Sequence, residues 1–192
     1  MNKITPDNLA AATNILLAGG VAIIPTDTIY GIAAHPGSDS AVARICTIKG
    51  RPTSKPIALL AADQESVIQF CGNVSASAQR LMDAFWPGAL TLVLPCHNNF
   101  EGFRVPDHDK TRELIKTCGG TLRVTSANLS GSMPARSAVE ALKDVGLTAD
   151  LVIDGGISPG SIASTVVKVE SDGTLTILRQ GSITAKQIHS VS

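Results

Sequence analysis

The stretch Val21-Ala22-Ile23-Ile24-Pro25-Thr26-Asp27-Thr28-Ile29-Tyr30-Gly31 decides the fold class. Its first four residues are apolar without alternation, and three are β-branched, the pattern of a strand covered on both faces. Pro25 and the polar run behind it end that strand. A strand of this kind needs helices on either side, and the flanks supply them. Upstream, Thr5-Pro6-Asp7 reads as a helix start: a hydroxyl cap, a proline at the first helical position and an acid in the first turn. That helix runs through Leu9, Ile15 and Leu16 and stops at Gly19-Gly20. Downstream, Ser38 or Asp39 caps a second helix reaching about Lys49, and residues 57–60 form the next buried strand.

The alternation continues. Residues 75–84 are predicted helical, the Trp86-Pro87-Gly88 turn breaks them, and 89–94 form a strand. Residues 103–105 read as a short strand, 109–118 as a helix, 121–124 as a strand, 137–145 as a helix and 151–153 as a strand. Residues 165–169 and 175–178, joined by Ser171-Asp172-Gly173, make a terminal hairpin. Interleaved helices and strands mean α/β, and the closing hairpin makes the sheet mixed parallel and antiparallel. No repeat, linker or low-complexity tract divides residues 1–192, so one domain is expected.

Composition agrees. Hydrophobic residues make up 44% of the chain and charged residues 17%, with mean hydropathy +0.21; neither a disordered chain nor a charged coiled coil has this balance. With four Phe, one Trp and one Tyr, the core must rest on Ala, Val, Ile and Leu. Sixteen basic and sixteen acidic residues cancel, which excludes a polycation built to coat nucleic acid, so any anion site is local. The four cysteines (Cys46, Cys71, Cys96, Cys118) form no CxxC pair and read as buried thiols in a reducing compartment. Cys96-His97 lacks a second ligand pair, and no metal site is expected. No apolar run approaches the ~20 residues of a membrane span, and the N-terminus lacks signal-peptide patterning; a cytoplasmic location is expected.

Four segments carry candidate chemistry. Residues 25–31, behind a buried strand, suit a ligand site at the mouth of an α/β sheet, with Gly31 letting the backbone turn. They suit equally an Asx or ST turn that satisfies backbone groups. In Lys49-Gly50-Arg51-Pro52-Thr53-Ser54-Lys55-Pro56, three cations on a Gly/Pro-stiffened loop form an expected anion clamp, each contact to a phosphate oxygen contributing roughly 1.5–3 kcal/mol. The GxxxxGK[ST] spacing of a P-loop is absent. Thr125-Ser126-Ala127-Asn128-Leu129-Ser130-Gly131 follows another strand with hydroxyls and an amide suited to phosphate or ribose. The fourth is Ser161-Ile162-Ala163-Ser164-Thr165-Val166-Val167, set against Leu178-Arg179-Gln180-Gly181. Arg104, a lone cation on an apolar strand, marks a carboxylate or phosphate partner. There is no GxSxG, and no Cys or Ser has a His at a familiar spacing. Cations and hydroxyls with few carboxylates suit an enzyme that positions anionic substrates, as phosphoryl and nucleotidyl transfer require.

Taken together, PTDTIYG (25–31), KGRPTSKPI (49–57), FRVPDH (103–108), TSANLSG (125–131), STVV (164–167) and LRQG (178–181) resemble the YrdC domain family of threonylcarbamoyl-AMP synthases, TsaC type, over about residues 21–182. The resemblance implies a single α/β domain with a twisted mixed sheet around a basic concave cleft. It implies a nucleotidyl transfer in which L-threonine, bicarbonate and ATP, with Mg²⁺ on the nucleotide, give threonylcarbamoyl-AMP and pyrophosphate. The product serves the t6A modification of adenosine 37 in tRNA, passing to a TsaD-type transferase complex; tRNA is a further candidate partner, a membrane is not. By the same resemblance Lys49 and Arg51 are catalytic. They bind ATP together with Lys55, Ser126, Asn128, Pro134 and Arg179. Thr28, Tyr30, Arg104, Val124 and Ser164 hold threonine, Arg104 through its carboxylate. The chain departs from many relatives at Leu60, where a His stands after the KxR motif, and at Phe100, where a Thr or Ser precedes the strand arginine. Two other readings remain: a nucleotide- or RNA-binding module, and a paralogue of this family with altered or lost threonine activity.

Overall fold

The computed structural model describes residues 4–6, 8–146, 148–160 and 162–191. In chain order the strands are β1 (Ile4–Pro6), β2 (Val21–Ile24), β3 (Gly31–Ala34), β4 (Leu59–Ala61), β5 (Leu90–Cys96), β6 (Asn99–Arg104), β7 (Thr121–Ser126), β8 (Leu151–Asp154), β9 (Thr165–Val169) and β10 (Leu175–Arg179). The helices are α1 (Leu9–Leu17), α2 (Asp39–Lys49), α3 (Gln64–Cys71), α4 (Ala76–Phe85), α5 (Asp109–Thr117), α6 (Ala138–Ala141) and α7 (Ala185–His189). All ten strands join one sheet in the order β1-β8-β2-β3-β7-β4-β6-β5-β9-β10. Four pairs are parallel (β1·β8, β8·β2, β4·β6, β5·β9) and the others antiparallel, including the terminal β9–β10 hairpin. The expected mixed sheet is present.

β2 is buried at all four positions, as its unbroken apolar run requires. Val21 and Ile23 pack on one face with Ala41 and Ile45 of α2 and Val152 of β8. Ala22 and Ile24 pack on the other with Leu16 of α1 and Leu114 and Ile115 of α5. A third cluster lies under the far half of the sheet, where Leu90, Leu92, Phe103 and Val167 meet Val67, Leu81 and Met82 of α3 and α4.

The N-terminal expectation needs correcting. Residues 4–6 are a strand parallel to β8, not a helix start, and α1 is capped by Asn8, whose side chain accepts from Ala11 N at 3.0 Å. An edge strand tolerates Pro6 because one side of it needs no ladder bond; Asp7 lies outside the described residues. Ser38 caps α2, one of the two residues expected there, and Ser75 and Ser137 cap α4 and α6. Helix α6 is shorter than expected and continues as a π-helical turn, Leu142–Gly146. β3, α3 and α7 carry too few residues of clear periodicity to be read in advance.

The cysteines also depart from expectation. Cys71, at the end of α3, is bonded to Cys96, at the end of β5, with Cα atoms 4.4 Å apart, whereas Cys46 and Cys118 are buried free thiols. Spacing gives no sign of this pair, because only packing of α3 on β5 brings the two together.

Candidate anion-gathering site

Strand alternation builds the site. On β5, Leu90, Leu92, Leu94 and Cys96 enter the core, so Thr91 and Val93 face the opposite way. On β6 Phe103 enters the core and Gly102 and Arg104 face away. These outward residues, with Leu60, Val124, Ser126, Ser164 and Val166 from β4, β7 and the β9 segment, line a cavity of about 490 Å³. The 26–31 segment, Arg51, Pro134 and Arg179 close its sides.

Arg179 reaches the cavity through a bulge. Ile177 pairs with Val167 but Arg179 pairs with Val166, so Leu178 is an extra residue. The bulge puts Arg179 on the cavity face beside Val166, where strict alternation would put Leu178. Its guanidinium then straddles Ser164, with Nη2 donating to Ser164 O at 2.8 Å and to Ser164 Oγ at 3.2 Å.

Arg104 is fixed from three sides. Nε donates to Gly88 O at 3.0 Å, Nη1 to Thr28 Oγ1 at 2.8 Å, and Nη2 forms an ion pair with Asp27. The expected carboxylate partner of Arg104 is therefore present within the chain as Asp27. Burial pushes the Arg104 pKa down against the Asp27 attraction, and the nearby Arg179 charge adds to the fall. Two guanidiniums that repel across one corner, with Ser164 and Thr28 hydroxyls beside them, favour an anion placed between them.

Residues 25–31 form a turn and also border the cavity. Thr26 Oγ1 donates to Ile29 O at 2.7 Å and accepts from Thr28 N at 3.1 Å, a turn-forming role. Thr28 and Tyr30 meanwhile line the cavity. The Tyr30 hydroxyl donates to Gly156 O at 2.7 Å and accepts from Gly155 N at 3.0 Å, and burial raises its pKa. Gly31 does not turn the backbone as expected; it opens β3, and a Cβ there would lie 2.5 Å from Val124 Cγ1. Its role is close approach of β3 to β7.

The three cations of the 49–55 loop do not form one clamp. Gly50 ends α2 in the left-handed conformation at φ 59°. Lys49 turns inward, 3% exposed, its ammonium donating to the carbonyls of Ser126 and of Asn128, the latter at 2.6 Å. Burial, helped by Arg51, lowers its pKa to about 8. A buried ammonium requires acceptors, and these two carbonyls supply them, so Lys49 props the 126–128 loop from behind. Arg51 lines the cavity and braces its own loop, Nη2 donating to Pro56 O at 2.9 Å. Lys55 is exposed and stands outside the lining.

Asn128 also stands behind the lining, 5% exposed, both Nδ2 hydrogens spent on Leu129 O and Ser132 O at 2.8 Å. Among the described residues its buried Oδ1 has no partner, an orphan acceptor. Of the twelve expected residues, Thr28, Tyr30, Arg51, Arg104, Val124, Ser126, Pro134, Ser164 and Arg179 meet at one cavity; Lys49, Lys55 and Asn128 do not line it. Ser161 lies outside the described residues. Sequence reasoning missed Thr91 and Glu101. Thr91 had a signal, a single hydroxyl in an otherwise apolar strand. Glu101 had none; it pairs in two bonds with Arg123, at 2.7 and 2.6 Å. Leu60 and Phe100 both border the cavity, Phe100 under the Lys168 ammonium 3.9 Å from its ring centroid.

Fold and site thus define an α/β protein whose sheet face gathers three arginines and several hydroxyls around one cavity, a class suited to anionic substrates. The chain matches the family model described as telomere recombination (Sua5, YciO, YrdC) over residues 14–181, and it belongs to that family. It is 34% identical to a threonylcarbamoyl-AMP synthase of Bacillus subtilis over 95% of this chain and 56% of that one. It therefore spans little more than half of that relative's length. P. abyssi Sua5 complexed with L-threonine superposes with a TM-score of 0.89 at 29% identity, covering 95% of this chain and 56% of that one. E. coli YciO superposes at 0.85 with 27% identity, covering 98% and 100%. Among the described residues no helix is long and apolar enough to cross a membrane, and no cluster of three or more His, Cys, Asp or Glu stands ready for a metal.

Proposed function

We propose that this chain makes threonylcarbamoyl-AMP from L-threonine, bicarbonate and ATP, releasing pyrophosphate. The observation that carries the reading is the meeting of nine expected residues at one cavity, with Arg104 and Arg179 facing the same corner. The synthase name of the Bacillus subtilis relative and the threonine complex of P. abyssi Sua5 support it.

In this reading bicarbonate takes up a proton and loses water to give CO₂, and the threonine amine captures that CO₂ as a carbamate, returning a proton to solvent. A carbamate oxygen attacks the α-phosphorus of ATP, the bond from that phosphorus to the bridging oxygen breaks, and pyrophosphate leaves. The protein has to hold carboxylate, carbamate and triphosphate together against their repulsion, which is work for fixed cations and hydrogen-bond donors. Arg104 and Thr28 take the carboxylate, and Arg104 can turn one N–H pair from Asp27 to it without leaving Gly88 O. Arg179, Arg51 and Ser126 take the phosphates. Tyr30, Val124 and Pro134 are walls. Lys49 serves the nucleotide indirectly, by setting the main chain at Ser126 and Asn128. Asn128, behind the lining, likewise serves the nucleotide indirectly, by holding the main chain at Leu129 and Ser132. Lys55 reaches the outer phosphates only if its loop folds inward on binding. Mg²⁺ belongs to the substrate, as Mg-ATP, because the nearby carboxylates of Asp27 and Glu101 are committed to Arg104 and Arg123. The enzyme works in the cytoplasm, and its product passes to a TsaD-type transferase that modifies tRNA.

The test is pyrophosphate release from Mg-ATP with threonine and bicarbonate omitted in turn and serine as a control. Release that needs both and favours threonine is expected. Nucleotide binding without threonine-dependent release would replace this reading with the paralogue, and salt-dependent tRNA binding without turnover would replace it with the RNA-binding module.

A further inference from the structure

Thr91 is the second residue of β5, 7% exposed, on the face that lines the cavity. Among the described residues its hydroxyl has one partner, Ser164 Oγ at 2.7 Å. Ser164, 6% exposed, also accepts from Arg179 Nη2 at 3.2 Å. The two hydroxyls bring two protons, and the bond they share consumes one. Among the described residues no protein acceptor takes the other.

Thr165, the next residue, shows what a satisfied hydroxyl looks like here. It donates to Ile183 O at 2.7 Å and accepts from Gly181 N at 2.9 Å and Ile183 N at 3.1 Å. Its role is to hold the chain after β10 against β9. Thr91 and Ser164 hold nothing of that kind, and the hydroxyl proton left over faces the cavity. Arg179 supplies positive polarity to one end of the pair, which strengthens the donor left at the other. Whichever hydroxyl donates internally, one O–H remains for an acceptor in the cavity, beside Arg104 and Arg179.

We infer that Thr91 is a positioning residue for the amino-acid substrate. It locks Ser164, so that the pair under Arg179 presents a single aimed O–H to an anionic oxygen of that substrate. This rests on the synthase reading above, and it adds a residue that the family motifs do not mark in this chain. Because the pair acts as one unit, removing either hydroxyl should cost nearly as much as removing both.

The experiment measures threonine and ATP KM and kcat by pyrophosphate release for the unaltered protein, Thr91→Val, Thr91→Ser, Ser164→Ala and the double variant Thr91→Val/Ser164→Ala, with thermal melts of each. Valine keeps the shape and the strand preference of threonine. Thr91→Val and Ser164→Ala should each raise threonine KM about tenfold, the scale of one hydrogen bond to a charged group. The double variant should stay within about two- to threefold of either single, not reach about a hundredfold. ATP KM should stay within about twofold, and Thr91→Ser should restore threonine KM. Unchanged threonine KM in Thr91→Val, multiplicative effects in the double variant, or equal loss on both substrates would each overturn the inference while leaving the synthase reading intact. An unaltered protein that shows no threonine-dependent release would instead remove the synthase reading, and this inference with it. If Thr91→Val melts too low to assay, Thr91→Ser and Ser164→Ala decide: no difference between serine and threonine at position 91, with Ser164→Ala equally silent, would overturn it.

Discussion

Replacing Arg104 by lysine tests the core of the site. Arginine here spends Nε on Gly88 O, Nη1 on Thr28 Oγ1 and Nη2 on Asp27, with 8% of its side chain exposed. Lysine keeps the charge but offers a single point of contact, so it can remain beside Asp27 while Gly88 O and Thr28 Oγ1 lose their donor. Two lost hydrogen bonds at about 1–1.5 kcal/mol each predict a destabilisation of about 2–3 kcal/mol. For a chain of this size that is a fall in Tm of about 4–12 °C. Alanine would leave the Asp27 carboxylate, 12% exposed, without its counter-ion, at a cost of about 3–5 kcal/mol; lysine is therefore the informative change. In the synthase reading, losing the planar fork removes a two-bond contact to the threonine carboxylate, worth about 1.5–3 kcal/mol, so threonine KM should rise about 10- to 150-fold. ATP KM should change by less than about threefold, since Arg51, Ser126 and Arg179 are untouched. Steady-state pyrophosphate release, varying one substrate at saturation in the other, reads both constants. An equal rise in both, or an unmoved threonine KM in a folded protein, would refute the assignment of Arg104 to the amino acid.

Two other perturbations follow. The Lys49 ammonium, with its pKa lowered to about 8, should titrate near there in a ¹⁵N or ¹³C side-chain NMR experiment. Because the unfolded chain keeps that proton up to about 10.4, the folded state binds fewer protons between the two values, so this group makes stability rise with pH across that window, by at most about 3 kcal/mol. Lys49→Met should abolish the rise, and a titration above pH 10 would show that the ammonium is not buried under the 126–128 loop. Gly181→Ala puts a Cβ 2.3 Å from Ala163 O and 2.4 Å from Thr165 N, both backbone atoms, so the segment carrying Ser164 must move away from Arg179. A loss of about 3 kcal/mol, read as a Tm fall of about 6–12 °C, and a fall in kcat/KM are expected; unchanged values for both would mean that the β9–β10 end is looser than described.

What the sequence alone determined was local and repetitive. An unbroken run such as Val21–Ile24 has nowhere stable to go but between two helical layers, so one segment implied α/β. The cap at Ser38 was legible because a hydroxyl three residues before a free N–H is a local relation. Residues 4–6 defeated the same logic, since their pairing with β8, nearly 150 positions away in the chain, outweighs a local helix start. The site residues were legible as motifs, but their work was not. Three cations in one loop look alike in sequence; the tertiary structure turns Lys49 inward to two carbonyls, places Arg51 at the cavity and leaves Lys55 in water. A bulge of one residue brings Arg179 to the cavity, and bulges depend on the partner strand. Thr91 meets Ser164 from 73 positions away, and Cys71 meets Cys96 from 25. Local chemistry selects elements and candidate groups, whereas only burial and cross-strand register decide which groups face one another, which are spent on the backbone, and which are left to hold a ligand.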